Sequence, residues 1–157
     1  MAARESRSAS KRGMLPPTYL LLAIVAMTAF HFRLPLRQIL PFPWRLLGLL
    51  PFLIGLTLNL AADRQFKQQE TTVKPFERST SHITTGVYQI SRNPMYLGFV
   101  LILLGIGILL GSLSPLLVVP PFGVLLEVVF IRAEERKMAA EFGQAWHIYK
   151  EQVRRWI

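Results

Sequence analysis

Four long apolar blocks, at 17–32, 44–62, 96–113 and 115–131, constrain this chain more than any other feature of its sequence. Each runs for roughly 16 to 19 residues, near the ~20 that a helix needs to cross the hydrocarbon core of a bilayer. Backbone N–H and C=O groups cannot be left unpaired in lipid, so apolar blocks of that length are helices there. The expected fold class is therefore an all-α integral membrane protein with about four transmembrane helices. Bulk composition agrees. With 52% hydrophobic and 17% charged residues in a chain of 157, there are too few charges to clothe a soluble globule of this size.

The net charge of +9 is unevenly spread and orients the spans. Arg4, Arg7, Lys11 and Arg12 precede the first block, Arg64, Lys67, Lys74, Arg78 and Arg92 lie between the second and third, and another basic group follows the fourth. The positive-inside rule puts these regions on the cytoplasmic face of a multi-pass protein of the inner membrane. It leaves Arg33, Arg37 and Arg45 in the first outer loop, against the trend, and makes the uncharged stretch Gly111 to Pro115 a tight outer hairpin. A pI near 10.7 can signal a nucleic-acid binder, but these charges flank apolar spans and form no groove pattern of basic and aromatic residues. The bilayer and its anionic headgroups are the expected partner, with no nucleic acid. A homo-oligomer is left open.

The first block follows a basic segment, as in a signal peptide, yet no small-residue cleavage site follows Thr28-Ala29-Phe30-His31-Phe32. It reads as a retained anchor. Residues 1–15 are expected to form a disordered tail. Absence of cysteine excludes disulfides, thiolate catalysis and cysteine metal sites. His31 and His147 have no ligand-like neighbours in sequence, so no metal is expected.

Between residues 63 and 93 the chain turns polar and rich in Thr and Ser, which reads as a cytoplasmic loop. It runs into Gly86-Val87-Tyr88 and Arg92-Asn93-Pro94-Met95-Tyr96. Asn93 is suited to an N-cap and Pro94 to a first helical residue, so the third span should begin here with its positive dipole end at the membrane surface. Such an end attracts anions, Arg92 adds a full charge, and Tyr88 and Tyr96 offer aromatic faces. The same residues also suit an ordinary interfacial cap. Just past the fourth block come Glu134 and Glu135, which as helical neighbours point about 100° apart and cannot share one job. They are either a desolvated acidic pair or members of a solvated, ion-paired helix. Glu127 falls inside the fourth block, where a charge is expensive, and either serves function or reaches toward the cytoplasmic end.

Phe142, Trp146, Tyr149, Val153 and Trp156 recur at nearly helical spacing among Lys150, Arg154 and Arg155. That pattern describes a C-terminal amphipathic helix at the interface, which either anchors the tail or lids a pocket. Gly107 and Gly111 form a small-xxx-small pair suited to helix packing, and Pro120-Pro121 should kink the fourth span.

Taken in order, Gly86-Val87-Tyr88, Arg92-Asn93-Pro94-Met95-Tyr96-Leu97-Gly98, Glu134-Glu135, Phe142-Gly143, Tyr149-Lys150 and Val153-Arg154-Arg155-Trp156 resemble the C-terminal signature of the isoprenylcysteine carboxyl methyltransferase family, itself similar to membrane phospholipid methyltransferases. The likeness covers the chain from about Val73 onward. It implies one membrane methyltransferase domain over 1–157, S-adenosylmethionine as cofactor, and a lipophilic acceptor that enters from the bilayer. By the resemblance, His82, Ile83, Tyr88, Asn93, Pro94, Tyr96 and Glu134 bind the cofactor in a pocket facing the cytoplasm, residues 132–157 belong to that pocket, and Arg92, Asn93 and Glu135 serve the reaction. Asn93 stands where the eukaryotic carboxyl methyltransferases carry histidine, and Asn hydrogen-bonds without titrating. Phe130 stands where the family places a substrate-side arginine, with Arg132 two residues later. A sterol-reductase-type enzyme using a nicotinamide cofactor and a non-catalytic small membrane protein are the alternative readings; no glycine-rich dinucleotide fingerprint supports the former.

Overall fold

The computed structural model describes residues 15–34, 36–71 and 84–157. Among them the chain is helical, and strand-like pairing is limited to one isolated antiparallel bridge between Gln38 and Ser112. The tail at 1–14 and the loop residues 72–83, His82 and Ile83 included, lie outside the described residues.

Helix α1 spans Pro16–Arg33, with its prolines in the first turn, where a missing N–H breaks no helical bond. A 3₁₀ turn at Trp44–Gly48 leads into α2, Leu49–Thr71. Helix α3, Pro94–Leu110, starts on Pro94 and stops at Gly111, whose φ of 76° is the left-handed conformation that glycine adopts without steric cost. Helices α4 (Leu113–Leu116) and α5 (Val119–Leu126), a π-helical turn at Glu127–Ile131 and α6 (Arg132–Phe142) follow one another along a 30-residue rod. Gly143, at φ 49°, breaks the chain before α7, Gln144–Gln152.

Two helices are long and apolar enough to cross a membrane, Trp44–Gln68 and Leu113–Phe142, and Pro94–Leu110 is a shorter apolar helix. The buried core joins α3 to the α5 rod through Tyr96, Phe99, Leu103, Val119, Phe122, Leu126 and Ile131, with Met27 inserted from α1. Elsewhere apolar side chains point outward: Leu21, Leu22 and Val25 on α1, and Leu50, Leu53 and Leu60 on α2, are all exposed. Water would penalise so continuous an apolar exterior, whereas hydrocarbon would not.

The tightest helix contact, α2 on α3, rests on glycines. A Cβ on Gly55 would lie 2.5 Å from the Gly98 carbonyl oxygen, and one on Gly48 would lie 2.5 Å from that of Gly105. Backbones approach this closely only where no side chain intervenes. Gly107, the packing candidate from the sequence, faces Leu116 and Met27, while its partner Gly111 is a helix stop.

One end of the bundle is clasped by the loop after α1. Ile39 and Leu40 donate backbone N–H bonds to the Gly111 carbonyl at 2.9 and 3.1 Å, and the Leu113 N–H reaches the Arg37 carbonyl at 3.2 Å. His31 Nδ1 meets Ser112 Oγ at 2.7 Å. At the opposite end the starts of α1 and α3, the end of α2 and the first turn of α6 converge.

The backbone shows how three of the expected features are built. Asp63–Thr71 is helical, so α2 continues beyond its apolar block with an i,i+4 pair between Lys67 and Asp63 at 2.7 Å. Polarity there marks a helix leaving an apolar environment, not the start of the loop. The fourth block is interrupted at Leu117–Val118, directly before Pro120 and Pro121, and both prolines sit in the first turn of α5, which needs no N–H. The C-terminal amphipathic segment is helical over Gln144–Gln152, and part of its aromatic face is turned onto the protein: Trp146, Tyr149 and Val153 are buried together against Ala139 and Phe142.

Candidate functional site

The converging ends enclose a cavity of about 440 Å³. Its wall is formed at one side by Tyr88, Arg92, Asn93, Pro94 and Tyr96, and at the other by Glu134, Glu135, Trp146 and Tyr149. Pro16 and Pro17 of α1, Phe66 of α2, and Met95, Phe99 and Met138 complete it with apolar surface.

The two constellations singled out in the sequence meet here. Tyr96 Oη donates to Glu134 Oε1 at 2.6 Å, tying the first turn of α3 to the first turn of α6. Tyr96 is held in turn by Phe130, stacked at 6.0 Å between ring centroids, and by the edge of Phe99 at 6.3 Å. Glu135, one residue on, points elsewhere as helical geometry requires. Its Oε1 lies 3.3 Å from Arg92 Nη2, and Arg155 grips both its oxygens, with Nε at 3.1 Å and Nη2 at 2.7 Å. Arg155 Nη1 also reaches Glu127 Oε1 at 2.9 Å, and Arg132 Nη2 reaches the same oxygen at 3.1 Å. Glu127 is thus neither isolated nor lipid-facing alone: two guanidinium groups neutralise it.

Asn93 occupies the N-cap position of α3 but does not cap it through its side chain. Its Nδ2 donates instead to the Arg155 carbonyl at 3.1 Å, while its own N–H donates to Ser91 Oγ at 3.1 Å. The first N–H groups of α3 are therefore left without a side-chain acceptor from Asn93, which keeps their positive end available. Beside them the Arg92 guanidinium, only 6% exposed, lies over Trp146 at 5.7 Å from the ring centroid. Its Nε and Nη1 meet no acceptor among the described residues.

The C-terminal residues close the site from behind. Arg92 N–H donates to the Arg154 carbonyl at 3.0 Å, and Ser91 Oγ to the Arg155 carbonyl at 3.2 Å. Tyr149 Oη donates to the Tyr88 carbonyl at 2.6 Å, fixing α7 to the turn at Gly86–Gln89. Burial pushes the Tyr149 phenol up to about 12, against the opposing pull of Arg92. Burial also pushes the Tyr88 phenol up, and the nearby Glu134 carboxylate adds to that shift. Both phenols are therefore neutral donors at physiological pH. Glu135, followed by burial in the opposite sense, sets the Arg155 guanidinium above its ordinary range.

Of the residues proposed from sequence, Tyr88, Arg92, Asn93, Pro94, Tyr96, Glu134 and Glu135 all line one cavity, and His82 and Ile83 lie outside the described residues. Sequence reasoning missed Phe66, Met138 and the two prolines of α1, which carry no chemical signal and reach the cavity only through helix packing. It recorded the Val153 to Trp156 run as a motif without seeing that Arg155 holds Glu135.

No curated protein and no solved structure matches the chain. The profile of the phospholipid methyltransferase family matches residues 44–145, about two thirds of the chain, from the 3₁₀ turn before α2 to the first residues of α7. That stretch contains both halves of the Tyr96–Glu134 junction, and with it the chain belongs to the phospholipid methyltransferase family, a family of membrane methyltransferases.

Proposed function

We propose that the chain is an S-adenosylmethionine-dependent methyltransferase that works from the cytoplasmic face of the inner membrane on a lipophilic acceptor. The observation that carries the reading is the 2.6 Å bond between Tyr96 and Glu134, which unites a helix start and a carboxylate on the wall of one cavity.

The residues present fit this cofactor. A volume of about 440 Å³ lies within the ~300–1,000 Å³ usual for cofactor sites. The open start of α3 at Asn93 and Pro94, with the Arg92 charge beside it, suits the carboxylate of the methionyl group. Glu134 suits its ammonium or the ribose hydroxyl pair, and Tyr88, Trp146 and Tyr149 offer aromatic faces to the base and the sulfonium. His82 and Ile83 would complete the lining by analogy with the carboxyl methyltransferases.

The cofactor supplies a methyl group already activated on sulfur. What remains for the protein is to align an acceptor with that carbon and exclude water. Phe66, Phe99, Met95 and Met138 provide the water-poor side of the cavity. Glu135 pairs with Arg92 at 3.3 Å and accepts from Arg155 with both oxygens, which suits it to a positioning part. A carboxylate acceptor needs no base, and an amine would have to arrive neutral.

The membrane arrangement follows the same lines. Helices α1 and α3, with 18 and 17 residues, extend for about 26 Å at ~1.5 Å per residue, close to the hydrocarbon thickness, and make four spans with the two longer rods. The α7 segment, with Ile148 exposed beside Lys150, rests at the interface while its inner face lids the cavity.

Incubating the purified chain with membrane lipid extract and isotope-labelled S-adenosylmethionine tests the assignment by mass spectrometry. A labelled lipid that Glu134→Ala protein fails to produce supports it. Absence of any labelled product, together with binding of nicotinamide nucleotide, overturns it.

A further inference from the structure

Arg155 is the third-last residue of the sequence and is not on the cavity wall, yet it binds two carboxylates at the site. Its fork takes both oxygens of Glu135 at 3.1 and 2.7 Å and leaves its third nitrogen for Glu127 at 2.9 Å. Glu135 Oε1, held by this fork, is the oxygen that faces Arg92 Nη2. Its side chain is 13% exposed and that of Arg92 is 6% exposed, so neither charge is relieved by water, and the placement of each depends on the other.

The main chain of the same segment repeats the connection. Three consecutive residues before α3 are bonded to it: Ser91 and Asn93 through their side chains to the Arg155 carbonyl, and Arg92 through its N–H to the Arg154 carbonyl. Glu127, the third anchor, belongs to the π-helical turn at Glu127–Ile131, the irregular step between α5 and α6. π-Turns re-aim the residues that follow them, here Glu134 and Glu135. The C-terminal strap thus joins the start of α3, the first turn of α6 and the π-turn before it.

The geometry points to Arg155 as a positioning residue for the cofactor site, acting through Glu135 on Arg92. This rests on the proposed methyltransferase function and extends it to a residue that touches neither cofactor nor acceptor. Only an arginine suits the place, because a lysine ammonium cannot take two carboxylate oxygens in a planar fork and still reach a second carboxylate. The tail's backbone carbonyls survive a side-chain substitution, so mutating Arg155 isolates the Glu135 route from the strap as a whole.

Equilibrium binding of tritiated S-adenosylmethionine to the full chain in detergent tests the inference. Arg155→Ala should weaken binding on the order of tenfold, the scale of one charge-assisted hydrogen bond, with unchanged helix content. In a Glu135→Ala background, where the link is already cut, the same substitution should cost less than about twofold. An equal, additive loss in that background overturns the route through Glu135. Should Arg155→Ala not fold, Arg155→Lys decides: weakening of about threefold is expected, and affinity equal to the parent overturns the inference. Binding by the unsubstituted chain separates the two levels of the account. If the parent chain binds no donor, the methyl-donor reading falls and this inference with it; if it binds and Arg155 variants match it, only the positioning role falls.

Discussion

At the scale of single residues, the account turns on a hydroxyl and a carboxylate. Tyr96→Phe keeps the ring against Phe130 but removes the donor to Glu134, leaving that carboxylate without its 2.6 Å partner. Loss of a hydrogen bond to a charged group is worth about 1.5–3 kcal/mol, so donor affinity should fall by roughly ten- to a hundredfold in a binding titration, and parent-like affinity would count against the site. Tyr149 carries a pH prediction. Its folded-state pKa of about 12 exceeds the ordinary value of 10.0, so above pH 10 the unfolded chain loses this proton first. Stability contributed by the neutral phenol is complete below pH 10 and declines as pH rises to about 12. Thermal melts in detergent should show that decline in the parent and a shallower one in Tyr149→Phe. Much of this scale was legible in sequence, since helical spacing already separated Glu134 from Glu135 and an N-cap pattern placed Asn93 at the start of α3. The turning of Asn93 Nδ2 onto the Arg155 carbonyl was not, because that acceptor comes from a backbone 62 residues away.

Among the elements, the α2–α3 contact is the most sensitive. On Gly55 a Cβ would face two backbone atoms, the Gly98 oxygen at 2.5 Å and the Ile102 nitrogen at 2.8 Å, neither of which can rotate away. Gly55→Ala should therefore force the helices apart and destabilise the protein by about 1–3 kcal/mol, read as a lower melting temperature in detergent. Helix existence could be read from the apolar blocks, but this seam could not. Glycines were sought at a spacing of four on one helix, whereas Gly48 and Gly55 face Gly105 and Gly98 at a spacing of seven on each of two helices. The α7 segment teaches the same point. Its aromatic periodicity announced an amphipathic helix, and only the fold disclosed that Trp146 and Tyr149 spend that face on the cavity.

For the whole molecule, topology places the Gly111 hairpin and the cavity at opposite ends of the bundle. The chain has no cysteine, so single cysteines can be introduced on a silent background. In inside-out and right-side-out vesicles, an impermeant thiol reagent should reach Gln144→Cys only from the cytoplasmic side and Gln38→Cys only from the other. Labelling of both from one side would refute the four-span arrangement. The central claim is that Tyr96 and Glu134 form one binding site for a sulfonium nucleoside, and the most direct measurement is a titration of tritiated S-adenosylmethionine into purified parent and Glu134→Ala protein. Saturable binding by the parent that drops at least tenfold in the folded variant is the predicted result, consistent with loss of a charged contact. Equal affinity in the two proteins, or no binding by either, would contradict the account.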